Sequence, residues 1–247
     1  MRSPAPDALS CRNGEPRPGA TNAPEPPIGT TRWYSFRVRE ILRREGWRGA
    51  CFRVLAGLGY RRWGWFSRSL ELPCAPVRPG LPVRFAELGP EHLEPYLAFR
   101  RGATREQFLG RLAAGQRAFG AWLEDRLVSV SWVSADRIRI GPAQVGCALA
   151  PGTIYLHDSF TSRDARGQRV QGALGVHVLE QYRRAGFARV VSLIVPENGP
   201  NVASRTRLGF RRNGTLASIE RGPLRRTFLR GECPGRAAGA RGRDSGA

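Results

Sequence analysis

Residues 153–195 constrain the fold of this chain more than any other stretch. A β-prone run over 153–161 leads through a Gly-containing turn into an amphipathic helix over 171–185, with Leu174, Val178 and Tyr182 on one face. Gly186 follows, the residue type that best tolerates the left-handed position past a helix end. The next run, Arg189-Val-Val-Ser-Leu-Ile-Val195, is strongly β-branched and has the composition of a buried strand. A strand, a helix and a second strand in this order pack as a parallel pair through a right-handed crossover. An α/β fold with a parallel strand pair at its centre is therefore expected.

The rest of the chain is read around that unit. A strand is predicted at 83–88, helices at 90–100 and 104–114, and a hairpin from 118–123 and 127–133 that turns at Glu124-Asp125-Arg126. After the crossover come a short helix near 201–207 and strands near 210–219 and 227–229. The order describes a mixed, mostly antiparallel, twisted sheet flanked by helices. Upstream, residues 35–48 interleave Phe36, Val38, Ile41 and Leu42 with charge as an amphipathic helix. A shorter helical stretch through Phe52, Val54, Leu55 and Leu58 ends at Gly59. An aromatic strand at 61–72 holds Trp63, Trp65 and Phe66, and Pro73, Pro76, Pro79 and Pro82 mark a link. The chain thus divides into a tail (1–31), an N-terminal helical and aromatic extension with its linker (32–81), a main domain (82–231) and a second tail (232–247). Both tails are too poor in apolar residues to offset the entropy of ordering them.

Composition excludes more than it assigns. The net charge of +20 would point towards nucleic acid or an anionic membrane. All the basic residues, however, are arginine, as expected of GC-rich codons, and nucleic acid is not the expected partner. No run approaches the roughly 18 to 20 apolar residues of a spanning helix, and the N-terminus shows no apolar secretory core. Five scattered cysteines, without Cys-x-x-Cys spacing or clustered histidines, support neither a disulfide framework nor a metal site. Reduced thiols in a cytoplasm are the expectation.

The turn Arg163-Asp-Ala-Arg-Gly-Gln-Arg169 joins strand to helix. The first turn of a helix presents unpaired N–H groups and partial positive charge, so such a turn suits an anion, and Arg163, Arg166 and Arg169 add to it. It lacks both the P-loop pattern and Gly-x-Gly-x-x-Gly. Tyr155-Leu-His-Asp-Ser-Phe-Thr161, the following Arg166-Gly167, the helix ending at Ala185-Gly-Phe187, and Pro196-Glu-Asn-Gly-Pro-Asn201 ahead of Leu208-Gly-Phe210 together resemble the GNAT superfamily of acyl-CoA-dependent acyltransferases. The resemblance covers about 83–229 and is closest to a bacterial branch sometimes labelled as cellulose or polysaccharide biosynthesis.

That resemblance implies a GNAT-like α/β fold and transfer of an acetyl group from acetyl-CoA to an amine by direct attack on the thioester. It also implies a pyrophosphate held by Arg166, Gly167, Gln168, Arg169, Val170, Gln171 and Gly172. The pantetheine would lie along Ser159, Phe160 and Thr161 and bond to Asn198. Asp158 or His157 is the candidate base; strict alternation would put their side chains on opposite faces of the sheet. The chain departs from the superfamily at three places. Arg169 and Gln171 stand where small residues are usual, and Arg205 stands at the position of a common general acid, tyrosine. Arginine does not release a proton at neutral pH. Two other readings compete: a GNAT-like module that binds acyl-CoA without transfer, and a basic binder of nucleic acid or an anionic surface.

Overall fold

The computed structural model describes residues 47, 51–52, 54–55, 57–140, 145–221 and 224–231. Both predicted tails, and most of the helix expected at 35–48, lie outside the described residues. The elements are β1 (Tyr60–Ser69), β2 (Val83–Leu88), α1 (Leu93–Phe99), α2 (Arg105–Ala113), β3 (Arg117–Leu123), β4 (Arg126–Ser134), β5 (Arg137–Ile140), β6 (Val145–Ala148), β7 (Thr153–Thr161), α3 (Val170–Arg184), β8 (Arg189–Ile194), α4 (Gly199–Arg207), β9 (Arg211–Arg221) and β10 (Leu224–Gly231). Eight strands form one sheet in the order β10-β9-β1-β8-β7-β4-β3-β2. The pair β7–β8 is parallel and its neighbours are antiparallel, the mixed sheet expected from the crossover.

The aromatic strand belongs inside this sheet. β1 pairs with β8 from Gly64↔Ile194 to Ser69↔Arg189, and with β9 on its other edge. A boundary drawn between 81 and 82 therefore cuts a strand from its own sheet. The reason lies in its two faces: Trp65 joins the cluster of Ile138, Tyr155 and Val191, while Phe66 joins the core under α3. A strand buried on both sides is interior. The prolines after it mark a connection that runs back along α3. There the Cys74 N–H donates to Glu180 at 2.7 Å and the Gly80 N–H to the Gln168 carbonyl at 2.8 Å. The β5–β6 hairpin is an addition to the sequence expectation, since strands this short carry little periodicity; Ile138 buries it against Trp65 and Tyr155.

Each face of the sheet has its own cover. On one, Leu174, Val178, Leu179 and Tyr182 of α3 pack against Phe119, Val133, Ile154, Leu156 and Val190. On the other, α1 and α2 cover β2–β4 with Tyr96 and Phe108 around Trp132, whose Nε1 donates to Tyr96 Oη at 3.2 Å. Helix α4 closes on α3 where Gly175 leaves room: a Cβ there would stand 2.8 Å from Leu208 Cδ1. Gly175→Val is accordingly expected to destabilise the chain by about 1–3 kcal/mol, through overpacking. Urea unfolding reads this directly, and an unchanged midpoint would show that the two helices have slack.

Candidate functional site

The site begins where a ladder stops. β7 and β8 pair only at Thr153↔Arg189, Ile154↔Val190 and Tyr155↔Val191. Ser192 Oγ then donates to the Leu156 carbonyl at 2.8 Å, and the strands part. On the β4 side, Ser131 faces two residues of β7, Asp158 and Ser159, between the pairs Trp132↔His157 and Val130↔Phe160. This is a bulge, and Asp158 takes φ +43° to make it. A bulge bends its strand and leaves part of its edge unpaired. The gap becomes a cleft of about 1560 Å³ between the start of α3 and α4. Of the residues expected to hold a cofactor, all but Gln168 line this cleft; the Gln168 carbonyl is taken by Gly80 instead.

The turn before α3 keeps a glycine-like path without the glycine. Gly167 has φ +81°, and Arg169, at the N-cap of α3, has φ +56°. A side chain in that left-handed region costs roughly 1–2 kcal/mol, so the surrounding turn holds Arg169 where glycine would sit freely. The first-turn amides of α3 have no partners within the helix, and Val170, Gln171 and Gly172, which carry them, line the cleft. Arg61, Arg62, Arg78, Arg166, Arg169 and Arg207 line it against a single carboxylate, Glu197, which is paired with Arg62. Asn198 lines it too, while its Oδ1 caps α4 by accepting the Asn201 N–H at 3.3 Å.

Gln171 ties α3 to the sheet. Its Oε1 accepts from Ser129 at 2.8 Å and Thr161 at 3.0 Å, and its Nε2 donates to Ser131 at 2.8 Å. Ser131 meets Ser159 at 3.0 Å, and Arg205 Nη2 donates to Ser159 Oγ at 2.7 Å. Arg205 is 2% exposed, with Nε and Nη1 lacking partners among the described residues. Burial pushes its pKa down to about 10, so it stays cationic at neutral pH. A buried cation with donors to spare, held against the bulge, is the main electrostatic feature of the site. Nothing in a polar helix sequence marks such a residue as buried.

The bulge also overturns the expected alternation of His157 and Asp158. Both face α1 and α2: His157 is the partner of Trp132, and Asp158 pairs with Arg100 at 2.9 Å and Arg111 at 2.6 Å. Burial raises the Asp158 carboxyl pKa, but the Arg111 hydrogen bond and the charges of Arg111 and Arg100 outweigh it and hold the group below its usual range. A carboxylate so held is a poor base. The His157 ring stacks on Tyr155, with centroids 4.8 Å apart. Burial and the Arg111 charge depress its pKa to about 4, against the opposing pull of Asp158. Neither residue lines the main cleft. Arg100, Arg111 and Tyr96, which do surround Asp158, carried no sequence signal beyond the helices that hold them.

No family model matches the chain, and no curated protein matches it. Solved structures do. A GCN5-related glucosamine N-acetyltransferase region of a fungal multi-domain β-N-acetylglucosaminidase is similar at TM-score 0.50 and 10% identity, over 69% of this chain and 22% of that one. A GCN5-related N-acetyltransferase from Sphaerobacter thermophilus is similar at TM-score 0.49 and 17% identity, over 70% and 55%. A tandem GNAT protein from the clavulanic acid biosynthesis pathway is similar at 0.46 and 18%, over 66% and 55%. The chain thus spans between about a fifth and just over half of these structures' own lengths. The likeness is one of fold.

His157 supplies a pH signature. Its folded pKa lies below the ordinary 6.5, so the unfolded chain takes up the proton first. The stability tied to neutral His157 is whole above pH 6.5 and drains away as the pH falls towards about 4. His157→Phe, which cannot titrate, is expected to lack that loss. Urea midpoints across this range compare the two, and parallel curves would show that the imidazole is not held neutral.

Proposed function

The chain has the GNAT fold, and on that premise we propose that it transfers an acyl group, acetyl in the simplest case, from an acyl-CoA thioester to an amine. The observation that carries this reading is the cleft: a bulged, unpaired strand edge on one side and a helix N-terminus ringed with arginine on the other. A pyrophosphate suits the amides of residues 170–172 with Arg166 and Arg169 beside them. The pantetheine, with two amides of its own, suits the free edge of β7 as an added strand. The thioester then reaches the bulge, where an N–H without a strand partner can polarise its carbonyl, a contribution of roughly 3 kcal/mol. The amine nitrogen attacks that carbon, the C–S bond breaks, the amine gives up a proton to water, and the thiolate leaves. Asp158 has no part as base in this reading, because its two arginines weaken its hold on a proton.

Arg205 acts here as a positioning residue. Its charge orients the Ser159 hydroxyl and favours negative charge developing on oxygen or sulfur near the bulge. Arg205→Met is expected to lower kcat by about 10- to 100-fold, while the Kd for acetyl-CoA moves little. Equal losses in both would make the residue merely structural.

A second reading, binding of acyl-CoA without transfer, is favoured by arginine at position 205 in place of a proton donor. Calorimetric titration of the full chain with acetyl-CoA and CoA, followed by a thiol-release assay with amines, separates the readings. Micromolar binding that weakens by about tenfold or more in the Arg166→Glu/Arg169→Glu variant, together with thiol release, supports transfer. Binding without release across many amines supports the second reading. A folded chain that binds neither compound would overturn both.

A further inference from the structure

A second cavity, of about 310 Å³, opens on the opposite face of the sheet, between α1 and α2. Tyr96 and Phe108 form its floor, Arg100, Arg101 and Arg111 its walls, and Asp158 its inner end. The residue after Asp158 is Ser159, which lines the main cleft. The two cavities therefore meet the same bulge from opposite faces. We propose that this cavity receives the amine acceptor and selects amines that also carry a carboxylate, molecules the size of an amino acid. The proposal rests on the acyl-transfer reading above.

Charge carries it. Three guanidiniums stand against one carboxylate. Asp158 uses one nitrogen of Arg100 and one of Arg111, which leaves donors on both forks directed elsewhere. Arg101 has no ion-pair partner among the described residues. An ion pair serving only to anchor the bulge needs no third arginine. Three cations converging in a concave site repel one another, and an entering carboxylate relieves that repulsion while accepting a bidentate bond.

The floor adds a second observation. Tyr96 is 4% exposed, and its Oη accepts from Trp132 Nε1. Its own hydroxyl proton has no acceptor among the described residues, so a buried donor is left to point at a ligand. The Tyr96 and Phe108 rings, 4.5 Å apart between centroids, are the aromatic residues of the lining. A volume near the lower end of small-molecule sites excludes a large acceptor. The same arginines repel polycationic amines, so the discrimination works by repulsion as well as attraction.

The test uses the full chain, acetyl-CoA and matched amines: β-alanine against propylamine, γ-aminobutyrate against butylamine, and O-phosphoethanolamine against ethanolamine. Thiol release is expected to show kcat/KM higher by about tenfold or more for the carboxylated member of the first two pairs. Preference for the phosphorylated amine alone would overturn the assignment to carboxylate. Arg101 is exposed, so Arg101→Glu should fold; it is expected to abolish the advantage and leave the Kd for acetyl-CoA unaltered. Equal use of neutral and acidic amines, or indifference to Arg101→Glu, would overturn the proposal. If the chain proves not to bind acetyl-CoA, saturation-transfer NMR with γ-aminobutyrate still decides about the cavity. A signal lost in Arg101→Glu supports the anion site and rejects transfer, whereas silence from the parent chain overturns the site.

Discussion

The bulge at Asp158–Ser159 is the constraint on which the rest of this protein depends. It follows directly on the point where β7 leaves β8, whose last pair is Tyr155↔Val191. With it, three parallel pairs give way to a cleft of about 1560 Å³. The same irregularity sends Asp158 towards α1 and α2 and Ser159 towards α4. One residue's left-handed backbone thus divides the site into two approaches to one point.

Keeping such a strand in place requires polar support, because an interrupted ladder leaves buried groups to satisfy. Ser192 caps the broken parallel ladder through Leu156. Gln171, Ser129, Ser131 and Thr161 bind the start of α3 to the bulged region on the other side. Gln171 stands where the GNAT resemblance leads one to expect a small residue, and its amide is spent inside this network. Arg205 completes it with a buried positive charge. Such a charge is costly to bury without a counterion, and its place beside the bulge is consistent with a site built to receive negative charge.

Arginine is abundant everywhere in this chain, which made the net charge of +20 a weak guide. Placement is more informative than number. Six arginines line the main cleft and three line the smaller one, against one carboxylate in each. At these two concavities arginine outnumbers carboxylate, which suits each to an anion.

The sequence by itself determined the central crossover, since β-branched runs flanking an amphipathic helix have few other ways to bury their apolar faces. It also determined the hairpin of β3 and β4 and the anion-friendly turn before α3. Residues 166–172 stood out because a Gly-containing turn into a helix start suits an anion, whereas residues 159–161 were singled out only through the GNAT resemblance. Tertiary structure alone decided where β1 belongs, because strand order depends on which buried faces fit together and leaves no local mark. It alone decided that Arg169 would take a glycine-like conformation and that Arg205 would be buried. The pairing of Asp158 with Arg100 and Arg111 was invisible for a further reason. Alternation predicts side-chain direction only while a strand is regular, and at Asp158 the strand is not.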